Sequence, residues 1–198
     1  YDVQAGLESE RPGARAISTA LGYNQLLTTN TIDLLAEHGG VIIKQLRDNA
    51  MSGRRGDLEY KIATIQRMIA FCKTVPNEWY AHEKLGTTPQ GIGVHALNLD
   101  IDVGPILQTL KLTDSVNFAR RKGYTAPLSA AELEMMNLTG DGNGFDMVSM
   151  PQSIRSQAPT SNFLQRGGDE RTPVAIRNNV VPKLIAPTDA EMDKAVLL

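Results

Sequence analysis

The residues in this sequence best placed to do chemistry are one glutamate and one turn. Leu7-Glu8-Ser9 closes a short helical stretch that Pro12-Gly13 must stop, and Gly22-Tyr23-Asn24-Gln25-Leu26-Leu27 follows a loop of small residues. A glutamic acid can protonate a leaving oxygen near neutral pH when an apolar cleft disfavours its charged form, and the carboxylate it leaves can then take a proton back. The expectation for Glu8 is a partly dry carboxyl at the base of a cleft. A second carboxylate is poorly provided: the segment offers Asp2 and Glu10, and Glu10, two positions on, does not share the face of Glu8. A single acid/base is the chemistry this segment suits.

Other chemistries find weaker footing. His38, His82 and His95 are too scattered for a zinc motif, and no cofactor is expected. Asp141-Gly142-Asn143-Gly144-Phe145-Asp146 begins like a calcium loop, but Phe145 stands where an oxygen ligand belongs and no glutamate closes the loop, so it reads as a turn. Ser9 has no local base, and no glycine-rich loop precedes a Lys-Ser or Lys-Thr pair. The one cysteine, Cys72, excludes an intrachain disulfide framework. The methionines 135, 136, 147 and 150 read as core filling.

The elements that must position these residues are mainly α. Residues 2–10 make a short helix, with Glu8 in its last turn. Asn30 or Thr31 caps a long helix in which Ile32, Leu35, Gly39, Ile42 and Leu46 keep helical spacing, so that at Gly39-Gly40 either the helix breaks or another backbone packs closely. Met51 to Gly56 is a linker, and Asp57 caps an amphipathic helix with Leu58, Ile62, Ile65, Ile69 and Cys72 on one stripe, ended by Val75-Pro76. Residues 77–94 read as irregular with one short helix inside. From Ile101 to about Arg121 apolar residues lie on several faces, which predicts a central buried helix. Ser129-Ala130-Ala131-Glu132 is a capping box opening a helix to about Leu138, residues 140–144 form a turn, and Met147 to Ile154 make another short helix. Beyond Pro151 the chain reads as an irregular tail on the surface, including 166–171, with a last helix near 188–197.

In their order, four short elements resemble the lytic transglycosylase family, whose domains have a lysozyme-like fold. Leu7-Glu8-Ser9 matches a Glu-Ser pair that closes a helix, and Gly22 to Gln25 with Thr28-Thr29-Asn30-Thr31 matches a Gly-x-x-Gln element before a Thr-rich helix start. Asp100-Ile101-Asp102-Val103-Gly104 looks like an Asn-Ile-x-x-Gly helix start, and Met136-Asn137-Leu138-Thr139-Gly140-Asp141-Gly142 looks like Ala-Tyr-Asn-Ala-Gly-x-Gly with one residue inserted. The resemblance covers about residues 1–50 and 98–148. It implies a lysozyme-like domain over 1–150 with a helical insertion at about 51–97, and an extension over 151–198 packed on it. It also implies Glu8 as the acid/base on peptidoglycan glycan strands, with Ser9, Gly22, Tyr23, Gln25 and Asn137 contacting the sugar or bracing the cleft, and a periplasmic or cell-envelope location. Where the family has a tyrosine that holds the catalytic carboxyl, this chain has Met136, which has no useful hydrogen bond to give. A hydroxyl would have to come from Tyr23 or Tyr124, and without one activity would be low or absent.

Composition bounds the rest. A chain of 198 residues, 41% hydrophobic and 21% charged, is ordinary globular material, and a formal charge of −2 argues against a dedicated nucleic-acid binder. Arg54-Arg55 reads as a solvated loop. No apolar run is long enough to span a membrane. A start at Tyr1 suggests a processed chain or a fragment that has lost any export signal. Two rival readings follow. One is an inactive glycan-binding or structural component of a wall-crossing or virion assembly, favoured by Met136 and the Pro-rich tail. The other is a helical interaction module docking through the stripe Leu58 to Cys72, which is otherwise a core face.

Overall fold

Helical spacing of the apolar residues decides the architecture. A computed structural model describes residues 3–14, 16, 18–22, 24–51, 58–163, 180–183, 185–186 and 190. It is mainly helical, and among the described residues there is no strand, only the isolated bridges Leu21↔Leu26 and Pro159↔Val180. The helices are α1 (Val3–Glu10), α2 (Thr28–Met51), α3 (Leu58–Cys72), α4 (Trp79–Gly86), α5 (Pro89–His95), α6 (Gly104–Arg121), α7 (Ala130–Thr139), α8 (Asp141–Ser149) and α9 (Gln152–Arg155). By packing, the chain divides inside α6 into two compact units, Tyr1–Lys111 and Leu112–Leu198. No described helix is long and apolar enough to cross a membrane.

In the first unit α2 starts at Thr28, earlier than Asn30 or Thr31. The Thr19 hydroxyl accepts from the Thr28 amide at 3.2 Å, and the Asn30 side chain reaches back to accept from the Leu27 amide at 3.3 Å, so Asn30 works from inside the first turn. The helix runs unbroken through Gly39-Gly40. Gly39 faces α3, where an added Cβ would come within 2.7 Å of Ile69 Cγ2, so a side chain rather than a backbone fills the space. Each interior glycine costs about 1 kcal/mol against alanine, and fully burying each Ile or Leu of the facing stripe returns roughly 1.5–3 kcal/mol. Burial wins. Leu58, Ile62, Ile65 and Cys72 lie in one core with Leu35, Ile42, Leu46, Val94 and Leu107.

The stretch read as an insertion is thus part of that core. Residues 77–94 also differ from expectation: they hold two helices, α4 and α5. Thr88 caps α5, its hydroxyl accepting from the Gly91 amide at 3.1 Å, with Pro89 at the first position. A Cβ on Gly91 would strike the Leu85 carbonyl and Gly86 Cα, so the glycine permits the α4–α5 corner instead of breaking it. At the start of α6 the Asp100 carboxylate accepts from the Asp102 and Val103 amides at 2.9 and 3.0 Å. Asp57 and Arg54-Arg55 lie outside the described residues, as does the 166–171 stretch.

The second unit is built on α7 and α8. The capping box forms as expected, the Ser129 hydroxyl accepting from the Glu132 amide at 3.2 Å and the Glu132 carboxylate from the Ser129 amide at 2.9 Å. Residues 140–144 are not a free turn. Gly140, at φ +82°, ends α7, and α8 begins at once at Asp141, whose carboxylate accepts from the buried Ser115 hydroxyl at 2.6 Å. Met135, Met136 and Met147 are fully buried with Val148. Val181 and Ile185 join this core, so part of the tail is structural rather than a surface wrap; of the helix expected at 188–197 only Ala190 is described, and it is helical.

Gly144 is the point where the two helix backbones meet, because a Cβ there would fall inside 3 Å of Met136 N and Cα. Gly144→Ala is expected to destabilise by about 1–3 kcal/mol through overpacking. Gly142→Ala, on the same helix with open space around it, should be neutral or stabilising by up to about 1 kcal/mol. Thermal unfolding of the two variants checks the contrast, and equal midpoints would remove the close approach.

Candidate functional site

Helix α1 positions Glu8 by its own C-terminal turn. The Arg11 amide bonds the Leu7 carbonyl at 2.7 Å, and Gly13, at φ +80°, turns the chain away. The Gly13 amide then donates to Glu8 Oε1 at 2.9 Å, and Gln4 Nε2, one turn earlier on the same helix face, donates to Glu8 Oε2 at 3.2 Å. Gln4 also donates to the Ala14 carbonyl at 2.9 Å and accepts from the Ala16 amide at 2.6 Å. Glu8 is therefore ordered, but it is exposed, as are Ser9 and Glu10. The partly dry carboxyl expected from the sequence is not found: Glu8 is exposed, bonded to the Gln4 carboxamide and the Gly13 amide.

The second element is a tight turn. Leu21 donates to the Leu26 carbonyl at 3.2 Å, and between them Gly22 takes φ +67° and Gln25 φ +52°. Gln25 is the only non-glycine at positive φ among the described residues, and its exposed side chain folds back to donate to the Gly22 carbonyl at 2.6 Å. An added Cβ on Gly22 would meet Leu99 Cδ2 at 2.9 Å and the Asn98 carbonyl at 3.3 Å. The close approach that this glycine permits is made by the chain itself, at Leu99 and Asn98. Tyr23 lies outside the described residues.

A buried polar network holds this turn. His95, fully buried, donates from Nε2 to the Thr19 carbonyl at 2.7 Å, which leaves Nδ1 as the acceptor, 3.0 Å from the Thr31 hydroxyl and 3.1 Å from Asn98 Nδ2. Asn98 Nδ2 also donates to Thr31 Oγ1 at 2.8 Å and to the His95 carbonyl at 3.0 Å. Asn24, inside the turn, donates to the Gly104 carbonyl at 2.7 Å. Burial pushes the His95 imidazole below its ordinary range, against the opposing effect of the Thr19 bond.

Nearby, Lys61 Nζ bridges Asp100 (2.9 Å) and Asp102 (2.6 Å). Burial opposes the Lys61 charge, the bonds to Asp102 and Asp100 outweigh it, and the ammonium is held above its ordinary range. For Asp100 burial is likewise outweighed, by Lys61 and the two amides it caps, and its carboxyl is held low. His82, also fully buried, donates from Nδ1 to Asp33 at 3.0 Å, tying α4 to α2. Burial pushes the Cys72 thiol up to about 12, so it is no nucleophile.

Asn137 belongs to the second unit, on α7, where its Nδ2 lies 3.5 Å from Glu134 Oε2. Burial pushes the Glu134 carboxyl above its ordinary range, against that bond. Met136 fills the same unit's core, and Tyr124 packs edge-on against Phe145 with ring centroids 5.9 Å apart. No protein-family model, curated protein or solved structure matches this chain. Gln4, Thr19, His95 and Asn98 were not singled out as site residues from the sequence. Only Gln4 carried a readable signal, its four-residue spacing from Glu8 on a helix.

Two outcomes follow. Because the His95 value is depressed in the fold, its contribution to stability is complete above the unfolded value of about 6.5 and is lost as pH falls from there through the folded value. Urea midpoints of the native chain should fall between pH 7 and 5 more steeply than those of His95→Gln; parallel curves would exclude His95 as the source. Gln25→Gly removes the strain of a side chain in the left-handed region and should raise stability by about 1 kcal/mol, measured by the same titration.

Proposed function

We propose that this chain is a lysozyme-like domain that cleaves peptidoglycan glycan strands as a lytic transglycosylase, with Glu8 as the single acid/base. The observation that carries the reading is the backbone of the Gly-x-x-Gln turn. A non-glycine in the left-handed region costs of order 1–3 kcal/mol, and such residues gather at functional sites. Here that residue is Gln25, the one that the family resemblance assigns to the sugar, and the Thr19–His95–Asn98 network beneath holds the turn in place.

In this mechanism Glu8 gives its proton to the glycosidic oxygen, the bond from that oxygen to the muramoyl anomeric carbon breaks, and the oxygen leaves as a hydroxyl. The muramoyl 6-hydroxyl then attacks the anomeric carbon and surrenders its proton to the Glu8 carboxylate, which closes a 1,6-anhydro ring and restores the acid. Glu8 is exposed in the free chain, so the bound strand itself must exclude water from it. Ser9, Gly22, Tyr23 and Gln25 contact the strand in this reading, which carries a cell-envelope location with it.

A second reading, a glycan-binding or structural component without turnover, is favoured by one observation. Met136, at the position of the family tyrosine, is fully buried in the second unit's core, so no hydroxyl comes from that position. The stripe Leu58 to Cys72 is consumed by the first unit's own core, which leaves the docking-helix reading without a surface.

Glu8→Gln should lower release of anhydro-muropeptides from purified sacculi by about a hundredfold or more, with an unchanged melting temperature. Equal release by the variant would refute Glu8 as the acid/base. Wild-type protein that binds sacculi and releases nothing selects the second reading.

A further inference from the structure

We infer that Gln4 is the positioning residue of Glu8, an inference that rests on the glycan-cleaving reading and deepens it. An exposed pair four residues apart on a helix is worth only about 0.2–0.5 kcal/mol and holds no single geometry. Gln4 is not such a pair alone. Its Oε1 accepts from the Ala16 amide at 2.6 Å, and its Nε2 donates both to the Ala14 carbonyl at 2.9 Å and to Glu8 Oε2 at 3.2 Å. Ala14 and Ala16 therefore fix the amide, and the orientation is unambiguous: turned over, its oxygen would face the Ala14 carbonyl and the Glu8 carboxylate while its NH₂ faced an amide.

Glu8 is consequently held at both oxygens, Oε2 by Gln4 and Oε1 by the Gly13 amide at 2.9 Å. Two donors fix the plane of the carboxylate, and each oxygen keeps a second lone pair for substrate. Helix α1 and the loop after it thus reach Glu8 through one side chain and one backbone amide. An acid that must give a proton to one oxygen of the substrate and then take one from another benefits from keeping a single orientation through both transfers.

Two variants separate this role from loop support. Gln4→Glu keeps an acceptor for the Ala16 amide but replaces the donor to Glu8 with a like charge; Gln4→Met removes all three bonds. In both, kcat for anhydro-muropeptide release should fall on the order of tenfold to a hundredfold with KM nearly unchanged. In both the pH–rate profile should also move to higher pH, further in Gln4→Glu, because loss of the donor and, there, an added like charge both disfavour the ionised form of Glu8. The Glu8 titration followed by carbon NMR of its carboxyl in the isolated chain should move the same way, and this readout needs no turnover. A titration midpoint identical in wild type and Gln4→Glu overturns the inference, as does a change confined to KM. If wild type releases no anhydro product, the glycan-cleaving reading fails while the midpoint still decides whether Gln4 governs the Glu8 carboxylate.

Discussion

The first unit depends on a histidine that must stay neutral. His95 is buried and all its hydrogen-bonding capacity is spent on neighbours from separate parts of the chain: the Thr19 carbonyl in the loop, the Thr31 hydroxyl on α2 and the Asn98 amide after α5. A buried polar group left without a partner costs about 1–3 kcal/mol, so each of those segments is held where the ring can use it. Fully paired networks of this kind rigidify and specify, which is what a turn with Gln25 in the left-handed region requires. The same Thr19 caps α2 through its hydroxyl, so a single loop residue fixes both the imidazole and the start of the longest helix.

The helices were largely legible in the sequence because periodic burial is a local signal. The stripe from Leu58 to Cys72 and the capping box at Ser129 follow their residues closely. What was not legible depended on contacts far apart in the chain. Gly91 and Gly144 look like helix breakers until a neighbouring backbone is known to stand within 3 Å of where their Cβ would be, which no local pattern in α5 or α8 reveals. Val181 and Ile185 stand among prolines and polar residues, and only the second core to which they return explains them.

For the candidate site the division is similar. Glu8 at the end of a helix and Gly22 in a turn were readable from residue type, and both are found there. Their surroundings were not. Gly22 makes room for Leu99 and Asn98, residues separated from it by most of the unit, and no local pattern announces that. The expectation of a dry Glu8 came from the demands of the chemistry and not from any apolar residue beside it. Among the described residues its hydrogen-bond partners are an amide and a carboxamide, which order a carboxylate without drying it.

The proposed site therefore joins two kinds of order. Gln25 sits in a turn that its neighbour Asn24 ties to the Gly104 carbonyl and to Asn98 of the buried network. Among the described residues Glu8 is directed by Gln4 and the Gly13 amide at an exposed position, where water competes with both bonds. A glycan strand lying on Glu8 would remove that water and strengthen both bonds, since electrostatic interactions grow as the local dielectric falls. Under the proposed function, affinity would come from the turn and desolvation from the ligand, and the acid would be completed only when a strand is present.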